Sequence, residues 1–149
     1  MASTEIRVAP ASARPDLTAD LIQRTGLDEN VLETLVQRFY GRVREDDLLG
    51  PIFAERISDW GPHLERMAAF WSSVALMSGR YHGRPVPMHI GLPVGAEHFD
   101  RWLALFRLTA REVCTPAGAE HVIERAERIA RSLRMAVEDS RPGRVPSLM

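Results

Sequence analysis

Apolar residues recur every three or four positions along most of this chain, a period that predicts helices rather than strands. The first pattern runs from Thr18 to about Gly26, with Leu17, Leu21 and Ile22 apolar and Thr18 as its N-cap. Asp28 caps the next helix, whose stripe of Leu32, Leu35, Val36, Phe39 and Val43 leaves Tyr40 at the edge of the core face. Asp46 to Phe53 reads as a turn or a one-turn helix. Another helix begins near Asp59, accepts Pro62 in its first turn, aligns His63, Met67, Phe70, Trp71 and Val74 on one face, and is predicted to end around Gly79. From about Gly95 a helix turns Phe99, Trp102, Leu103, Phe106, Ala110 and Val113 inward. Thr115-Pro116 then opens a last helix with Val122, Ala126, Ile129, Leu133 and Val137 buried. No window of four to eight residues alternates apolar and polar with β-branched enrichment, so the fold class is all-α.

Length and charge narrow the function classes. A chain of 149 residues fits one domain, expected over residues 16–140 with tails at 1–15 and 141–149. Nineteen basic residues against twenty acidic ones, a formal charge of −1, give no general attraction to nucleic acid or to anionic membrane. No apolar run approaches the roughly 18 residues of a spanning helix, and no charged-then-apolar leader opens the chain, so a soluble, cytoplasmic protein is expected. The single cysteine, Cys114, fits a reducing compartment.

Between two long amphipathic patterns lies Pro87-Met-His-Ile-Gly-Leu-Pro93, with a further proline at 85. Prolines fix φ, so His89 sits on a stiff backbone of the kind a metal-holding imidazole needs, although a histidine beside prolines is more often a surface-loop residue than a ligand. Tyr40, His63 and Trp102 could face it from three other segments. By spacing alone Trp102, Trp71, Phe70, Met67 and Phe99 are core residues, and His63 is a residue near a helix start. Arg80, Tyr81, His82 and Arg84 form a polar loop, read as solvated in preference to a binding surface. His98, His121 and Cys114 read as structural, and the Arg/Glu pairs of the last helix as a solvated face.

The order helix, helix, turn, helix, histidine loop, helix, helix resembles a truncated haemoglobin from about residue 28 to 137. The specific pieces are Phe39-Tyr40, Leu49-Gly-Pro-Ile-Phe53, His63 with Phe70-Trp71, His89-Ile-Gly-Leu-Pro93 and His98-Phe-Asp-Arg-Trp102, which together are similar to the third group of that family. The resemblance implies a 2-on-2 helical sandwich enclosing haem b, with His89 as the proximal iron ligand and metal-binding residue. It implies Tyr40, His63 and Trp102 as distal hydrogen-bond donors to O₂ or another diatomic ligand, and Phe39, Phe53, Met67, Phe70 and Trp71 as residues packing by the porphyrin. The expected function is reversible binding of such ligands. The alternative is a haem redox enzyme, peroxidase-like or detoxifying NO or reactive oxygen, which would need an external electron donor such as a reductase. A non-haem reading, an all-α interaction module whose aromatic residues are only core, stands beside these.

Overall fold

The computed structural model describes residues 15–81 and 94–139. Among these residues six helices follow one another: α1 Pro15–Thr25, α2 Glu29–Glu45, α3 Gly50–Arg56, α4 Trp60–Leu76, α5 Ala96–Val113 and α6 Pro116–Asp139. No strand occurs among the described residues. None of their helices is long and apolar enough to cross a membrane. The expected tails fall outside them apart from Pro15, which begins α1.

Helix α2 is the centre of the fold, packed against α4 on one side and α5 on another, while α5 lies along α6. Its predicted stripe of Leu32, Leu35, Val36, Phe39 and Val43 is buried throughout, and the predicted N-cap holds, with the Asp28 carboxylate accepting the Val31 N–H at 2.8 Å. Full burial of each such leucine, valine or phenylalanine contributes about 1.5–3 kcal/mol relative to exposure. Tyr40 departs from the expected edge position: it is 6% exposed, because α3 and α4 close over it.

Two helix ends differ from expectation. Thr18 is not an N-cap; α1 begins three residues earlier at Pro15, a residue suited to a first turn, and the Thr18 hydroxyl donates to the Leu76 carbonyl at 2.8 Å. Helix α4 ends at Leu76 rather than near Gly79, with Met77 in the left-handed region at φ 56°. Its final carbonyls are taken by side chains of other helices, Leu76 by Thr18 and Ala75 by the Nε2–H of His121 at 2.9 Å, so further turns are not needed to satisfy them.

The segment from Asp46 to Phe53 is a turn followed by a seven-residue helix, longer than the single turn expected. The Asp46 carboxylate accepts the Leu48 and Leu49 N–H groups at 3.1 and 3.0 Å and so shapes the turn. Gly50 is required there, since a β-carbon would lie 2.8 Å from the Arg44 carbonyl oxygen. Thr115 caps α6 as predicted, accepting the Gly118 N–H at 3.0 Å while donating to the Thr25 carbonyl at 2.7 Å.

Candidate functional site

A cleft opens among α2, α3, α4, α5 and α6, with about 1010 Å³ of space free of protein atoms, its mouth included. Helix α2 contributes Tyr40, α3 contributes Ile52 and Phe53, and α4 contributes His63, Met67, Phe70 and Trp71. The opposite wall is His98, Phe99 and Trp102 from α5 with Ile129, Ala130 and Leu133 from α6. The lining is overwhelmingly hydrocarbon and aromatic, with a handful of polar atoms.

Those polar atoms are concentrated. Tyr40 and His63 meet edge to face, with ring centroids 5.1 Å apart and planes at 82°. Steps of four, three and one along α4 turn His63, Met67, Phe70 and Trp71 to the same side, which is why the helix gives the cleft four residues. Trp102 is held from behind by a stack: its ring lies 5.6 Å from Phe106 at 12°, and Phe106 lies 4.9 Å from Trp71 at 22°. Phe39 stands edge-on to Tyr40, Trp102 and Phe106 at 4.9, 5.4 and 5.3 Å. Burial pushes the Tyr40 phenol far above its ordinary range, so its oxygen keeps its proton and serves as a hydrogen-bond donor at any physiological pH.

Of the residues singled out in the sequence, Tyr40, Phe53, His63, Met67, Phe70, Trp71 and Trp102 all line this one cleft. Phe39 does not: it is 1% exposed and forms the layer behind Tyr40 and Trp102. The order of α2's stripe explains this, because a residue at the stripe's centre faces core while its neighbour faces the gap beside it. His89 lies outside the described residues, as do His82 and Arg84.

Several residues in the cleft or beside it escaped the sequence reading. His98, read as structural, does cap α5, its Nδ1 accepting the Gly95 N–H at 3.0 Å, yet its ring also lines the cleft. That bond leaves the ring proton of the neutral form on Nε2. Tyr81, read as part of a solvated loop, packs on Phe70 with centroids 5.1 Å apart and reaches the cleft, while neighbouring Arg80 turns away to pair with Glu29. Trp60 packs on both Tyr40 and His63. Only its place one turn before His63 hinted at this, and periodicity had assigned it no face.

An apolar slot walled by aromatic rings, with phenol, imidazole and indole donors gathered on it, suits a flat, largely hydrophobic cofactor and a small polar ligand beside it. Comparison with known proteins agrees with that shape. Residues 21–138 match the family model described as "Bacterial-like globin". Over 109 residues the chain is 32% identical to "Group 3 truncated hemoglobin ctb" of Campylobacter jejuni, covering 70% of this chain and 86% of that protein. The fold superposes on the crystal structure of a group III truncated hemoglobin from the same organism with a TM-score of 0.70 at 30% identity, over 74% of this chain and 91% of that one.

Proposed function

The chain belongs to the bacterial-like globins as a group III truncated haemoglobin, and from that premise we propose that it holds haem b in the α2–α6 cleft and reversibly binds O₂ and other small diatomic ligands there. The observation that carries this reading is the convergence of Tyr40, His63 and Trp102 on one otherwise apolar, aromatic-lined cleft. The residues present fit the group: Phe53, Met67, Phe70 and Trp71 offer the flat, greasy contact surface a porphyrin requires. His89 is the proposed axial ligand and metal-binding residue, on the strength of its proline-fixed segment and the family likeness.

Haem, when bound, would supply an iron able to bind a diatomic ligand, and the His89 imidazole would hold that iron. The protein's part is to exclude bulk water and to aim donors. Tyr40, protonated throughout the working range, offers its O–H; Trp102 offers only an N–H, and its ring is fixed by the Phe106 stack. The imidazole of His63, edge-on to Tyr40, is the third donor. Each hydrogen bond to a polarised ligand contributes about 0.5–1.5 kcal/mol net, and more where water is excluded, so two or three donors slow ligand escape substantially. A cytoplasmic setting belongs to the same reading, as does an external electron donor to keep the iron reduced.

Absorption spectra of the ferric and ferrous protein, with and without His89→Ala, test the proposal. A Soret band in the wild type that is lost or greatly weakened in His89→Ala is expected. Normal haem content and an unchanged ferrous spectrum in the variant would overturn the ligand assignment, and no Soret band in wild type expressed with ample haem would overturn the whole reading.

A further inference from the structure

Trp60 does not line the cleft, yet it touches two of its polar residues. It is the first residue of α4, half-buried, with its ring 6.0 Å from Tyr40 at 53° and 5.4 Å from His63 at 89°. Exposed Arg44, at the end of α2, lies over its face with the guanidinium carbon 4.5 Å from the ring centroid. Tyr40, His63 and Trp60 therefore form a closed triangle of rings, clamped from outside by a cation. Edge-to-face contacts depend on ring orientation, and a cation prefers the face of an indole, so the set favours one arrangement over others of equal volume.

We infer that Trp60 is a positioning residue: gripped by Arg44, its ring holds His63 and Tyr40 in the orientation in which both face the cleft. The inference rests on the proposed function, since it concerns donors to a ligand bound there. Tyr40 is also held by Phe39 and Phe53, at 4.9 and 6.0 Å, so its orientation does not depend on Trp60 alone. Packing volume alone does not account for this placement, because a half-buried filler at a helix start has no need of two oriented ring contacts and a cation.

The test uses the haem-loaded protein with carbon monoxide as probe and compares Trp60→Leu, which keeps apolar bulk without a ring, with Trp60→Phe, which keeps a ring. The infrared C–O stretching band reports the field of the nearby donors, and the rate of carbon monoxide escape reports their hold. In Trp60→Leu the band is expected to broaden or split and escape to accelerate roughly two- to tenfold, the equivalent of one weakened hydrogen bond. In Trp60→Phe both are expected to stay close to wild type. Unchanged band and rate in Trp60→Leu would overturn the inference, as would equal disturbance in both variants, which would mean that the indole itself rather than ring orientation matters. Wild type that takes up no haem would sink the proposed function along with it, whereas normal uptake with an undisturbed Trp60→Leu sinks this inference alone.

Discussion

The guanidinium of Arg101 meets the Asp46 carboxylate at 2.6 Å across 55 residues of chain, joining the α2–α3 turn to the helix turn that carries Trp102. Because Arg101 immediately precedes Trp102, this pair, together with the Phe106 stack, fixes how α5 is rotated toward the cleft. The Asp46 side chain is 3% exposed and satisfied by two backbone N–H groups besides the arginine.

Removing that carboxylate leaves buried donors without a partner. Asp46→Ala is expected to cost about 1–3 kcal/mol in chemical denaturation at neutral pH. Arg101→Ala should cost less, roughly 1 kcal/mol or below, because the arginine is half exposed and screened. Burial pushes the Asp46 carboxyl upward, but the Leu49 N–H, Arg101 and the Leu48 N–H together outweigh it and hold the group below the usual carboxylate range. Its stabilising contribution is therefore complete above roughly pH 4 and lost as pH falls through the lowered folded value. Denaturation midpoints measured down an acid series should show that loss in wild type and its absence in Asp46→Asn.

Tyr40 gives the opposite limb. Its phenol is held protonated by burial, so the stability it contributes is full below roughly pH 10 and declines as pH rises beyond that. Tyr40→Phe should flatten the alkaline limb of a stability profile, and in the haem-loaded protein it should leave cofactor content unchanged while accelerating ligand release. Loss of haem in that variant would assign the hydroxyl to cofactor retention instead.

Gly118 lies where α6 packs closely on the end of α1 and the α1–α2 link. A β-carbon there would stand 2.8 Å from the Thr25 carbonyl oxygen and 3.0 Å from Leu27 Cδ2. Gly118→Ala gains up to about 1 kcal/mol of helix propensity but must displace backbone. A net destabilisation of about 1–3 kcal/mol by thermal melting is expected, as for overpacked cores. An unchanged or higher melting temperature would show that the contact relaxes freely.

Burial pushes the Cys114 thiol up to about 11. The thiolate is the reactive form, so alkylation at neutral pH should run well below the rate of a free thiol of ordinary acidity. Rates matching a model thiol would contradict the packing around the start of α6.

Several features were legible in the chain alone because they are local. The period of three and four set α2, α4, α5 and α6, since an apolar face must be buried wherever the helix lies, and Asp28 and Thr115 announced helix starts because a capping oxygen acts within three residues of itself. The candidate residues Tyr40, His63 and Trp102 were readable too, though through family likeness rather than spacing.

Tertiary structure alone decided the rest. Thr18 carries the chemistry of a cap, yet its hydroxyl is used 58 residues away, and that same bond lets α4 stop before its glycine. Phe39 and Tyr40 are adjacent and both aromatic; the stripe's order turns Phe39 to the core, but only the closing of α3 and α4 makes Tyr40 a wall of the cleft. His98, Tyr81 and Trp60 joined the site for the same reason: a side chain's periodicity tells which way it leaves its own helix, while the partner that it meets there depends on segments distant in sequence.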